Sequence, residues 1–216
     1  MSSSKKQELT LKYKAYEFIK EKIINCEMKP GSDISEDDLM EQLKTSRTPI
    51  REALMKLEQE GLVDIFPRKG IFVAQITFKD IHDIFEIRQI IEIQMAKVIC
   101  DNIPTERLLY FKEKFEQMDE GGNYITDRDF FHLDLEFHKT IVETTGNNYL
   151  IEFMNKIYDK DYRIRVLTTR FKEERKRNKM EHLNIINSIL DKDKDKIEKY
   201  LMQHIENSKH AALKII

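Results

Sequence analysis

The sequence predicts a mainly α-helical protein: an N-terminal winged helix-turn-helix with a two-stranded wing, then a C-terminal all-helical bundle. Three observations carry this. Glycine and proline are scarce, six and four in 216 residues, against many Leu, Ile, Lys and Glu, so helix breakers are few. Two β-prone runs, at 62–66 and 71–74, stand either side of a turn sequence. Beyond residue 77 the apolar residues recur at helical spacing, with almost no strand signal.

The first helix is predicted over about residues 9–26, with Leu11, Ala15, Phe18, Ile19 and Ile23 on one face and Lys29-Pro30-Gly31 turning the chain. Ser35-Glu36-Asp37-Asp38 opens a short second helix, where a capping hydroxyl and early acids suit the positive end of the dipole. Lys44-Thr45-Ser46 leads into a third. Ser46 is placed to cap it with its hydroxyl, Pro49 suits the first turn, and Ile50, Ala53, Leu54 and Leu57 form the inward face. Gly61 stops this helix. Pro67-Arg68-Lys69-Gly70 then joins the β-prone runs as a hairpin with two basic residues at its tip. The boundary falls at Thr77 or Lys79, which divides the chain into 1–77 and 78–216. Helical stretches follow at roughly 79–101, 104–120, 127–145, 147–170, 172–191 and 193–214, broken most clearly at Gly121-Gly122-Asn123 and Gly146-Asn147-Asn148.

A net charge of -2 excludes a chain coated in positive charge, so any nucleic-acid contact rests on a local patch. Cys26 and Cys100 are too few and too isolated for a disulfide framework. No apolar run is long enough to span a bilayer, and MSSSKKQE lacks a signal-peptide core. A cytoplasmic protein with no membrane partner is expected.

Arg47 and Arg51 lie four apart at the exposed start of the third helix. Arginine is the side chain best suited to read guanine O6 and N7 with two hydrogen bonds. Thr48 suits a phosphate or a thymine methyl, while Lys44, Lys56, Arg68 and Lys69 suit phosphates, which position without specifying sequence. Ser46, in the turn, completes the candidate DNA-contacting set. In the second part, Asp134 and His138 share a helix face, and His182 and His204 sit on two further helices. One carboxylate and three imidazoles from three helices can meet inside a bundle and hold a borderline divalent ion, zinc foremost, with nickel or manganese as alternatives. His82, His132 and His210 have no comparable pattern.

The run PGSDISEDDLMEQLKTSRTPIREALMKLEQEGLVDIFPRKGIFV resembles the winged helix-turn-helix of the GntR family of bacterial transcription regulators. The helical remainder, including Arg88-x-x-Ile-Glu92, resembles the FCD ligand-binding domain of its FadR-type branch. The resemblance implies that Arg47, Thr48, Arg51 and the wing-tip Gly70 touch the operator, and that Asp134, His138, His182 and His204 match the family's metal ligands. It further implies a homodimer on a pseudo-palindromic double-stranded DNA operator, most often acting as a repressor, and a small carboxylate effector that completes the metal shell while an arginine holds its far end. Arg88 leads as that clamp, with Arg163 and Arg165 next; the alternative for Arg88 is a buried ion pair with Glu92 or a nearby acid. Some relatives carry a basic residue where this chain has Glu36-Asp37-Asp38. Two other functions stay open, a metal-responsive regulator and a metal-dependent hydrolase. The second lacks an extra general base of the kind an HExxH helix supplies.

Overall fold

The computed structural model describes residues 2–118, 126–168 and 172–214, and the Gly121–Asn123 break lies outside them. The chain forms two compact units, Met1–Ile76 and Thr77–Ile216. The first contains α1 (Ser2–Ile24), α2 (Glu36–Leu43), α3 (Arg47–Gln59), β1 (Val63–Phe66) and β2 (Gly70–Val73). Its core is closed by Ala15, Ile19 and Ile23 of α1, Leu39 of α2, and Ile50, Ala53, Leu54 and Leu57 of α3, with Val63 and Val73 of the hairpin. At full burial each of the Val, Leu and Ile side chains stabilises by about 1.5–3 kcal/mol, and this cluster fixes the angle at which α3 is presented.

Local chemistry sets the ends. Ser35 caps α2 by accepting from the Asp38 N–H. Ser46 occupies the N-cap of α3 in extended backbone, but its side chain makes no capping hydrogen bond, so its expected capping role is met in backbone only. Gly61 takes φ +69. The Gly61 N–H donates to Glu58 O and the Leu62 N–H to Leu57 O, a Schellman closure that needs a left-handed residue at this point. α1 ends at Ile24, where Cys26 turns left-handed at φ 54, earlier than Lys29-Pro30-Gly31 suggests.

β1 and β2 pair antiparallel with Val63 opposite Val73 and Phe66 opposite Gly70. Pro67 and Arg68, the latter at φ 66, occupy the two central turn positions, and the Lys69 N–H closes on Phe66 O. The segment 31–34 also lies along β2, with Gly31 and Ile34 donating to Val73 and Ile71 carbonyls. The sequence does not announce it, because Gly-Ser-Asp-Ile is too short and polar to show alternation.

The second unit contains α4 (Phe78–Ile99), α5 (Thr105–Glu116), α6 (Asp127–Glu143), α7 (Asn148–Thr168), α8 (Lys172–Leu190) and α9 (Lys194–Leu213). Reciprocal capping boxes start α4, through Thr77 and Asp80, and α6, through Thr126 and Asp129. α4 runs against α6, α7 and α9, while α8 packs on α5 and α9. The buried face of α4 is apolar through Ile81, Ile84, Phe85, Ile93, Ala96 and Ile99, interrupted by Arg88 and Glu92. Two opposite charges in such a face require partners, and they lead to the centre of the bundle.

Candidate metal centre and nucleic-acid interface

Asp134 and His138 of α6, His182 of α8 and His204 of α9 are all buried, and each offers a ligand atom within 4.8 Å of the others. The His182 Nε2 stands 3.0 Å from Asp134 Oδ1, and His138 Nε2 stands 3.2 Å from His204 Nε2. Phe115 stacks on the His182 ring at 4.5 Å, and Phe137 meets both His138 and His182 edge-on. These aromatic walls hold the imidazoles in place.

The Nδ1 atoms of His182 and His204 are hydrogen-bonded, and that of His138 is in close ion contact with a carboxylate without completing a hydrogen bond. That of His138 lies 2.7 Å from Glu92, that of His204 lies 2.9 Å from Glu181, and that of His182 lies 2.7 Å from the Asn178 carbonyl. A ring that donates from Nδ1 presents a lone pair at Nε2. Three imidazoles and a carboxylate face one another at short range, with lone pairs at Nε2 of His182 and His204 where Nδ1 donates, and Asp134 Oδ1, His138 Nδ1 and His182 Nε2 are buried without a hydrogen-bond partner. Mutual repulsion in a dry core is costly, and a shared cation relieves it. The donor set, three imidazole nitrogens and one oxygen oriented from behind by carboxylates and a carbonyl, fits a borderline divalent ion.

Electrostatics favours the metal-ready protonation state. Burial, with the neighbouring imidazoles adding to it, pushes His204 well below the usual histidine range; burial also lowers His138 against the pull of Glu92. Burial alone would raise the Asp134 carboxyl, but Arg165 and His182 outweigh it and hold it well below the carboxylate range.

The three predicted effector arginines are buried. Arg88 donates to Glu92 Oε1 at 2.6 Å and to Asp161 Oδ2 at 3.0 Å, which is the ion-pair arrangement, and through Glu92 it backs His138. Arg165 bridges Asp161 at 2.7 Å and Asp134 at 2.5 Å, the arginine in direct contact with a ligating carboxylate. Sequence reasoning missed Glu181, Asn178 and Asp161 as supports of this centre. A charged pair four apart on the apolar face of α4 was the available signal for Glu92.

In the first unit Lys44, Ser46, Arg47, Thr48 and Arg51 are exposed around the start of α3, and Arg68, Lys69 and Gly70 are exposed at the wing tip. Lys56 instead lies over the Tyr16 ring, 3.6 Å from its centroid. The acidic start of α2 reaches across to the arginines. Arg51 forks Glu36 through Nε at 2.6 Å and Nη2 at 3.2 Å, and Arg47 Nη2 meets Asp37 at 2.5 Å.

Comparison with known proteins matches residues 11–73 to the bacterial regulatory proteins of the gntR family and residues 83–207 to the FCD domain. The chain is a GntR-family regulator with an FCD domain. It is 28% identical to the Nta operon transcriptional regulator of Aminobacter aminovorans over 89% of this chain and 90% of the other. A crystal structure described as a GntR transcriptional regulator from Rhodococcus sp. RHA1 superposes with a TM-score of 0.80 at 17% identity, over 95% of this chain and 98% of that one. The zinc-bound FCD domain of another protein named as a transcriptional regulator gives 0.56 at 24% identity, over 65% of this chain and 96% of that one. The curated relatives of this GntR chain are transcriptional regulators, not enzymes. Among the described residues, no helix is long and apolar enough to cross a membrane.

Proposed function

We propose that this GntR regulator is a homodimeric repressor whose operator affinity is set by a small carboxylate bound at a divalent metal, zinc first, in the FCD domain. The observation that carries the proposal is the convergence of three buried imidazoles and the Asp134 carboxylate, their ligand atoms within 4.8 Å of one another. When bound, the ion supplies positive charge that draws an anionic ligand to its remaining coordination positions. Asp134, His138, His182 and His204 would hold it, with Glu92, Glu181 and the Asn178 carbonyl fixing ring orientation. Arg165, rather than Arg88, is the arginine suited to meet a carboxylate there, because it already touches Asp134, while Arg88 is spent inside the α4–α7 packing. Arg163, also buried, is retained as a secondary candidate.

On the DNA side, GntR regulators bind operators, and Arg47, Thr48 and Arg51 are the proposed base-reading set. Lys44, Ser46, Arg68, Lys69 and Gly70 are the proposed backbone contacts. Dimerisation is supported by apolar side chains on the outer faces of α4, where Ile90 and Val98 are 62% and 63% exposed, and of α7, where Tyr149 is 90% exposed. Repression as the direction of control follows from the family resemblance. The test is elemental analysis of the purified chain and of its His182→Ala and His204→Ala variants. About one equivalent of metal in the parent, with loss in both variants, is expected; equal metal in all three would sink the site.

A further inference from the structure

The acids at the start of α2 occupy an unusual place for a DNA-binding head. Three of them, Glu36, Asp37 and Asp38, stand in the first turn, where a free helix N-terminus would otherwise attract a phosphate. Two of the three are engaged with the arginines at the start of α3. Glu36 is only 17% exposed and takes both Nε and Nη2 of Arg51, while Asp37 is 76% exposed and takes Nη2 of Arg47. The third, Asp38, uses its backbone N–H on Ser35 and is exposed.

A guanidinium has five N–H donors. Asp37 meets Nη2 of Arg47 and Glu36 Oε2 stands 3.8 Å from its Nε, so the guanidinium charge is offset while donors are left to read a base. A neutralised arginine is a poor phosphate seeker, because attraction to the DNA backbone scales with the net charge delivered and the counterions released. Its rotamer is also preset, which lowers the ordering cost of a contact made in one geometry. Random DNA binding depends on the first quantity, and operator recognition depends on the second.

We propose that Asp37 is a specificity-determining residue: by pairing with Arg47 it suppresses phosphate-driven binding to random DNA and keeps the guanidinium aimed for base reading. This rests on α3 being the reading helix. The probes are a duplex selected by the wild-type chain from a random pool and a scrambled duplex of equal length, titrated by fluorescence anisotropy at several salt concentrations. In Asp37→Asn, affinity for the scrambled duplex rises about two- to fivefold, the worth of an exposed ion pair. The salt dependence on that duplex steepens by about one phosphate contact. Affinity for the selected duplex holds or falls, so the selectivity ratio drops at least twofold.

Asp38→Asn, which removes the same charge one residue along, leaves the ratio unchanged. An unchanged ratio in Asp37→Asn, or an equal drop in Asp38→Asn, overturns the proposal and reduces Asp37 to bulk charge. Arg51→Ala separates the two layers: if it binds the selected duplex as tightly as the parent, the reading-helix assignment itself fails.

Discussion

Replacing Arg88 by alanine distinguishes a strut from a ligand clamp. Arg88 and Glu92 are both 0% exposed, and Asp161 is nearly so. Removal of the guanidinium strands Glu92 and Asp161, and breaking a buried pair from one side costs about 3–5 kcal/mol. The charge state of Glu92 points the same way. Burial would raise its carboxyl, but Arg88 and then His138 outweigh burial and hold it at about 2 instead of 4.5, so it is a buried anion at neutral pH. Glu92 keeps His138 and Asp161 keeps Arg165 in the variant, so the lower end applies, about 3 kcal/mol.

The sign with pH follows. A carboxyl depressed in the folded state stabilises above its unfolded value of 4.5, and that stability drains as pH falls toward 2. The parent and variant should therefore differ most at neutral pH and converge in acid. Urea unfolding with chelator present, followed by circular dichroism at several pH values, measures both. A variant that unfolds like the parent at pH 7, but has lost carboxylate binding, would refute the strut and restore the clamp.

Arg47→Ala and Arg51→Ala should each weaken binding to the selected duplex about ten- to hundredfold without moving the melting temperature, as read by anisotropy and thermal denaturation. Glu181→Gln should lower zinc affinity about ten- to hundredfold in competition with a chromophoric chelator, because His204 loses the carboxylate on its Nδ1; unchanged affinity would show that Glu181 does not orient the ring. Gly61→Ala should destabilise the first unit by about 1 kcal/mol, since φ +69 places a Cβ against the following carbonyl. Gly61→Asn should cost less, and equal unfolding midpoints for both would contradict the cap.

Much of the DNA-binding head is legible because its signals are local. Gly61 marks a left-handed cap, Pro67 opens a turn, and Ile50, Ala53, Leu54 and Leu57 repeat within one helix. The contact of Glu36 and Asp37 with Arg51 and Arg47 is not local in this sense, because it depends on the crossing of α2 and α3. In the FCD domain, Asp134 and His138 can be paired from spacing alone, whereas their meeting with His182 and His204 depends on how α6, α8 and α9 pack. Arg88 shows the limit best. Its i,i+4 partner Glu92 is readable, but the choice between strut and clamp turns on Asp161, 73 residues away on α7. Glu181 was illegible for a related reason: as the neighbour of His182 it belongs to another helix face, and it serves His204 across the α8–α9 contact.

In the proposed regulator the metal and a carboxylate act through one centre to control DNA binding. The direct measurement is operator affinity of the full chain, zinc-loaded and zinc-stripped, titrated with a panel of small mono-, di- and tricarboxylates, with His204→Ala alongside. At least one carboxylate is predicted to change affinity for the selected duplex about fivefold or more in the zinc-loaded parent, and to change nothing in the stripped protein or the variant. A response of equal size in all three would contradict the claim, as would no response to any carboxylate in the zinc-loaded parent.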